Sequence, residues 1–367
     1  MAIYDNFAII VAMLYAAYWY ESMNSKDNKA RVVTISDVAR AAGVSMATVS
    51  RVLNGYEHVT PAKRQRVTDA MERLGYTVNL QARSLAGGRL GIIGMLVHDL
   101  SNPYAAQIVQ GVDAALQQVE YELALYTTHL RSSKEVSFAN MLAQGSVDGL
   151  IVSLPLIPEA YLRKLSERGF PYVIINDLKE FDDFSPTIGI TNWQGAYDGT
   201  RYLLGLGHRR IGLVGGPAAM RSASERLDAY QTALADANVP FDPQLVQRGD
   251  YIPERGFEAA NILLDLPNPP TAIFATNDFS AQGVYNAVMA RGLRIPDDVS
   301  ILGFDDIPLA SYCTPALTTL AQPISEIAAA AVDGLLAELE SDPAPPAHSR
   351  VFRPTLVVRG STAPPAP

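Results

Sequence analysis

The sequence predicts an α/β chain: an N-terminal three-helix helix-turn-helix head and a hinge helix, followed by a body of parallel sheets. Three observations carry this. Val33–Gly55 (VTISDVARAAGVSMATVSRVLNG) has the apolar spacing of two short helices meeting at a glycine turn. Asn79–Leu90 (NLQARSLAGGRL) is a short helix-compatible stretch ended by Gly87-Gly88. From Leu90 onward, short apolar runs alternate with longer amphipathic ones, the mark of parallel α/β structure, and there is more of it than one sheet holds.

In the head, Val38, Ala42, Val44, Val49 and Val52 supply inward faces, Ala39 is small enough for a close helix crossing, and Gly43 permits the left-handed turn. Thr34 with Asp37 three residues on forms a capping box, and Ser45 is a natural N-cap for the second helix. That helix, Ser45 to Leu53, carries Met46, Ala47, Thr48, Ser50 and Arg51 toward its exposed N-terminal side, where a recognition helix meets base edges. Thr60-Pro61 opens a third helix through about Leu74, with proline where its missing N–H costs nothing.

Charge divides along the chain. The net charge of −9 argues against nucleic acid if taken globally. Between Arg31 and Leu90, however, nine basic residues face four acidic ones, a local +5 that leaves −14 elsewhere. A basic head on an acidic body confines phosphate attraction to one end.

Cys313 is the single cysteine, so the chain has no disulfide framework, and neither a Cys cluster nor a His pair at metal spacing occurs; a reducing cytoplasm is the expected compartment. Phe7 to Tyr20 is a run of fourteen apolar residues, short of the about 20 that span a membrane. Asp5 rather than a basic residue precedes it and no small-residue cleavage site follows, against a secretory signal. Residues 1–30 are therefore expected to be an N-terminal extension, of which 1–22 lie upstream of the effective start at Met23.

The hinge stretch is too short to be a stable isolated helix and folds only when something packs on it. Leu85 is then an apolar wedge for a minor groove, with Arg83 and Asn79 beside it. In the body, polar residues collect at the expected strand ends: His98-Asp99, Thr127-Thr128, Asn176-Asp177, Asp250-Tyr251, Asn277-Asp278 and Asp305-Asp306. Each alone suits a turn or cap; their recurrence points to a shared cleft, since ligands in such sheets bind beyond the carboxyl ends of strands.

The segments TISDVARAAGVSMATVSRVLN, NLQARSLAG, GIIG, VDGLIV, LGHRRIGLVGGP, SERLDAY, ATNDFSAQGV, SILGFDDIP and LTTLAQP occur in this order, and in this the chain resembles the lactose/galactose repressor (LacI/GalR) family from about Val33 to Ser361. The resemblance implies a homodimer or tetramer, the homodimer favoured, on a pseudo-palindromic, double-stranded operator, with a two-lobed, periplasmic-binding-protein-like body that takes a small carbohydrate between its lobes. It divides the chain into a head at 31–76, hinge and linker at 77–90, a body at 91–361 and a disordered tail at 362–367. Lobe 1 is then about 91–190 plus 322–350, and lobe 2 about 191–321 plus 351–361.

By the same resemblance, Thr34, Thr48, Ser50, Arg51 and Asn54 match positions that hold phosphates or the helix frame, and Met46 and Ala47 those that select bases; Ser45 and His58 join the set. Met46 and Ala47 offer apolar contact but no hydrogen-bonded code. Leu85 matches the hinge wedge, with Asn79 and Ala82 beside it at the DNA. Asp177, Arg226, Asn277, Asp305 and Gln322 match effector hydrogen-bonding positions, and Tyr104, Trp193, Tyr251 and Phe304 supply stacking faces. This chemistry suits a sugar: amides and carboxylates for hydroxyls, a planar guanidinium fork, and aromatic plates for C–H faces. Arg226 has the alternative of pairing with Asp177 or Asp305, and Trp193 of packing at a lobe boundary.

Two neighbouring readings share the body: a nucleobase- or nucleoside-responsive regulator, and an exported sugar-binding protein, which would lack the head. An enzyme is disfavoured, because no G-x-x-x-x-G-K-[ST], dinucleotide fingerprint or Gly-x-Ser-x-Gly elbow occurs. No cofactor is expected beyond the small-molecule effector, and no membrane partner.

Overall fold

The computed structural model describes residues 33–53, 58–76, 89–129, 131–154, 159–175, 186–340 and 349–366. The N-terminal extension, Asn54, the hinge residues Asn79, Ala82 and Leu85, and Asp177 lie outside the described residues. Two units form, Met1–Gly88 and Arg89–Pro367.

The first unit holds α1 (Ile35–Ala42), α2 (Met46–Leu53) and α3 (Pro61–Leu74). The capping box at Thr34 and Asp37 is complete, Gly43 sits at φ +62° as the α1 C-cap, and Thr48 N donates to Ser45 Oγ at 3.2 Å at the start of α2. Pro61 opens α3 and Gly75 closes it. Val38, Ala39 and Ala42 of α1, Val49 of α2, and Val67 and Ala70 of α3 form one buried cluster, with Val44 and Val52 packed against it.

The second unit is two lobes. Sheet I contains β1 (Ile92–Val97), β2 (Glu122–Thr127), β3 (Gly149–Ser153), β4 (Tyr172–Ile175), β5 (Thr187–Ile190) and β11 (Arg350–Phe352), in the order β11-β5-β4-β3-β1-β2. All its pairings are parallel. Between its strands run α4 (Pro103–Gln117), α5 (Ser132–Ala143) and α6 (Glu159–Glu167). Sheet II contains β6 (Ile211–Gly215), β7 (Val246–Arg248), β8 (Ala272–Ala275), β9 (Ser300–Asp305), β10 (Thr318–Ala321) and β12 (Thr355–Val357), in the order β12-β10-β9-β8-β6-β7. Around it lie α7 (Asn192–Gly205), α8 (Arg221–Asp236), α9 (Pro253–Leu264), α10 (Asp278–Ala290) and α11 (Pro308–Tyr312). The helix α12 (Ile324–Glu340) returns to lobe 1 and packs on α4, β3, β4 and β5. The central strands are buried from end to end, as strands covered on both faces must be.

The chain crosses between lobes after β5, after β10 and after β11. Three sequence-based expectations change here. The last crossing falls at Arg353-Pro354 rather than at 350/351, because β11 pairs with β5 through Phe352. The strand β12 is antiparallel to β10, the one exception among the pairings of the two sheets in the described residues. Thr362 and Ala363, expected in a disordered tail, are seated. Ser300 Oγ and Ala363 exchange two hydrogen bonds (3.1 and 3.0 Å), buried His208 donates to the Ala363 carbonyl at 2.9 Å, and Thr362 Oγ1 meets Tyr202 Oη at 2.8 Å.

Among the described residues no helix is long and apolar enough to cross a membrane, and no group of three or more His, Cys, Asp or Glu side chains could hold a metal ion. Cys313 is half-buried and free, its thiol pushed up by burial.

Candidate DNA-binding surface and effector cleft

On the head, α2 presents Met46, Ala47 and Arg51 to solvent, and His58 is exposed before α3. Thr34 and Ser45 are committed to the helix starts: Thr34 Oγ1 donates to Asp37 Oδ2 at 2.7 Å, and Ser45 Oγ lies 2.9 Å from Thr48 Oγ1. Thr48 and Ser50 are half-buried. Arg40 pairs with Asp37 at 3.2 Å, but among the described residues no carboxylate pairs with Arg51, Lys63, Arg66 or Arg73. Those four guanidinium and ammonium groups leave the small unit with uncompensated positive charge, the electrostatic requirement for holding phosphates.

In the body, a cleft is lined from both lobes by Asn102, Tyr104 and Leu154 with Ser222, Arg226, Tyr251, Asn277 and Asp305, and by Ile190, Asn192 and Gln322 at the crossings. It encloses about 540 Å³ of empty space, open mouth included. Its polar groups form a chain. Tyr104 Oη donates to Gln322 Oε1 at 2.9 Å, and Gln322 Nε2 donates to Asp305 Oδ1 at 2.7 Å. Arg226 Nη2 stands 3.9 Å from the same Oδ1. Asn192 Oδ1 accepts from Arg226 Nε at 3.0 Å and Nη2 at 2.8 Å, and Arg226 Nη1 donates to the Thr276 carbonyl.

Local structure aims these groups. Tyr104 enters α4 just behind Asn102, whose Oδ1 accepts from Tyr104 N at 2.9 Å. Asp305 ends β9 at φ +117° and Asp306 follows at φ +59°, backbone that non-glycine residues rarely adopt and that the surroundings must enforce. Arg359 does so, reaching Asp306 Oδ1 at 2.7 Å and the Leu317 carbonyl at 2.8 Å. Tyr251 lies flat on Gly216, where an added Cβ would stand 2.2 Å from the ring.

Burial pushes the Asp305 carboxyl up to about 7, against the opposing pull of Arg226 and the Gln322 amide. Behind it Asp278 is fully buried, accepting from Thr319 Oγ1 at 2.6 Å and Ile307 N at 3.0 Å. Its carboxyl is raised by burial and then by the neighbouring Asp305 charge. Of these two buried carboxyls only Asp305 has a cation beside it, while Asp278 is held by neutral donors.

Of the effector residues expected from sequence, Tyr104, Arg226, Tyr251, Asn277, Asp305 and Gln322 line the cleft together. Asn277 doubles as the α10 N-cap, its Oδ1 accepting from Ser280 N at 3.0 Å. Two expectations are corrected. Trp193 points away: its Nε1 donates to Asp228 at 2.6 Å and its ring stacks on Tyr197 at 5.0 Å between centroids. Phe304 is fully buried and offers no face to a ligand; instead it lies 3.7 Å below the Arg226 guanidinium and touches the place where Gly195 lacks a side chain. Sequence reasoning missed Asn102, Leu154, Ile190, Asn192, Met220 and Ser222. The usable signal was position, since Asn192 and Asn102 each follow a strand end and open a helix.

Residues 34–79 match the profile described as bacterial regulatory proteins, lacI family, and residues 200–362 that of a periplasmic binding protein-like domain. The HTH-type transcriptional repressor PurR of Edwardsiella ictaluri (strain 93-146) is 36% identical over 334 residues, covering 90% of this chain and 97% of its own. The chain belongs to the LacI family. It is thus a LacI-family DNA-binding transcriptional repressor with the two-lobed body of that family. A lac repressor dimer bound to operator and the anti-inducer ONPF superposes with a TM-score of 0.77 at 29% identity, over 91% of this chain and 100% of that one. The transcriptional regulator CelR in complex with cellobiose gives a TM-score of 0.67 at 31% identity, over 90% and 99% of the two chains.

Proposed function

We propose that this LacI-family protein acts in the cytoplasm as a homodimer, using heads at 31–76 and hinges at 77–90 to hold a pseudo-palindromic operator near carbohydrate-utilisation genes. A small sugar in the body at 91–361 releases it. The observation that carries the sugar reading is the cleft chain Tyr104–Gln322–Asp305–Arg226, which alternates donors and acceptors, the chemistry hydroxyls pair with, and has the Tyr251 ring in the same lining. Dimerisation is supported by exposed Ile252, Phe257, Met289 and Tyr312, on or beside α9, α10 and α11, which pack on one another. Base contacts fall to Met46 and Ala47, phosphate contacts to Arg51 and His58, and the minor-groove wedge to Leu85.

A labelled fragment of the DNA upstream of its own gene, titrated with protein at nanomolar concentration, should shift, and a panel of mono- and oligosaccharides should include one that reverses the shift and raises the melting temperature. Release by nucleosides and by no sugar would move the reading to a nucleoside-responsive regulator; no shift at all would refute it. Leu85→Ala should weaken specific binding more than binding to unrelated DNA, and equal loss on both would remove the wedge.

A further inference from the structure

We infer that Asn192 is a positioning residue, which from the first crossing between lobes clamps the Arg226 guanidinium and decides which of its N–H groups face the cleft. The inference rests on the reading of Arg226 as an effector-binding group. A guanidinium has five N–H donors and no acceptor, so the atom facing it must be the Asn192 amide oxygen. That oxygen takes two donors at once, Nε at 3.0 Å and Nη2 at 2.8 Å, while the Thr276 carbonyl takes one from Nη1. The Phe304 ring closes the lower side at 3.7 Å. What remains are one proton on Nη1 and one on Nη2, the latter on the group that stands 3.9 Å from Asp305.

The amide matters because it holds without neutralising. A carboxylate at 192 would form a bidentate ion pair and cancel the charge. With an amide there, Arg226 keeps its charge for Asp305 and for whatever enters between them. Position matters equally. Asn192 opens α7 directly after β5, so it stands where sheet I hands over to lobe 2. Gln322, on the second crossing, holds Asp305 in the same way. Two of the three crossings therefore each grip one of the two opposite charges of the cleft, and a change in the angle between lobes displaces both grips.

The test uses the full chain without ligand, carrying isotope-labelled arginine. One Nε–H signal, assigned by its absence in Arg226→Lys, should resist exchange with solvent. In Asn192→Ala that proton should exchange about tenfold faster, the loss of one hydrogen bond's worth of protection. Asn192→Asp, which keeps an acceptor in place, should restore it. Should Asn192→Ala fail to fold, Asn192→Ser, whose hydroxyl is too short to span both donors, takes its place and should exchange as fast. A protected signal surviving in Asn192→Ala or Asn192→Ser, no such signal in the unmutated chain, or no rescue in Asn192→Asp would each overturn the clamp. None of these outcomes bears on operator binding or on the choice of sugar, and failure of the sugar panel leaves the clamp standing.

Discussion

Tyr104 and Gln322, 218 residues apart in the chain, meet through a 2.9 Å hydrogen bond from the phenol hydroxyl to the amide oxygen. One stands at the first turn of a lobe 1 helix, the other on the segment leaving lobe 2, and Gln322 passes the connection on to Asp305. The cleft thus bonds its own polar groups to one another across the lobe boundary. A ligand must replace these bonds, not merely add to them, which favours molecules rich in hydroxyls.

Tyr104→Phe tests the connection. It strands the buried Gln322 oxygen and should lower the body's stability by about 1–3 kcal/mol. Urea unfolding followed by circular dichroism would read this, with DNA binding by the head retained. An unchanged midpoint would mean that the bond does not form in solution.

Acidity should stabilise the body through Asp305. Its carboxyl titrates at about 7 in the fold and near 3.9 when unfolded, so the folded state binds the proton more tightly. Stability from this group therefore falls as pH climbs from about 4 to about 7 and levels off above. Asp278, also raised, adds in the same sense. Urea midpoints across this range should fall more steeply, or rise less, with pH than those of Asp305→Asn, which removes this contribution. Equal slopes in both proteins would count against a protonated Asp305.

Local devices were readable from the sequence. Thr34, Asp37, Gly43 and Ser45 act within a few residues of themselves, so the two helix starts and the turn between them followed from spacing alone. Strand ends were readable for the same reason, and with them half of the residues that line the cleft. Orientation was not. Trp193 and Asn192 are neighbours, yet one faces Asp228 and the other Arg226, and nothing in the order Asn-Trp decides which side chain turns inward. Phe304 resembled a stacking plate until the absence of a side chain at Gly195, 109 positions earlier by numbering, let α7 settle on it. The direction of β12 and the seating of the tail likewise depend on contacts made between distant segments.

Gly216→Ala should disturb the cleft without touching a polar group. The new Cβ would collide with the Tyr251 ring, and overpacking of this kind costs about 1–3 kcal/mol unless the ring leaves. A lower melting temperature with specific DNA affinity kept is the expected result. No change in melting would show that the ring does not rest there.

Removing residues 362–367 should destabilise lobe 2. Five hydrogen bonds go with Thr362 and Ala363, to His208, Ser300, Tyr202 and Thr318, together worth about 2–6 kcal/mol. Burial lowers the His208 pKa, so the stability this group contributes is present above its unfolded value of about 6.5 and drains away as pH falls below it. A truncated chain that melts like the full one would refute the seating.

The threefold crossing also sets an order of assembly on the ribosome. The head is contiguous, complete by Tyr76, and can fold while the remainder is still being made. Neither lobe has that freedom. Lobe 1 lacks its edge strand until Phe352 emerges, and lobe 2 lacks β12 and its seated tail until Ala363. A newly made molecule can therefore fold its helical head before it owns a sensor, and translation must pass Ala363 before both lobes are complete.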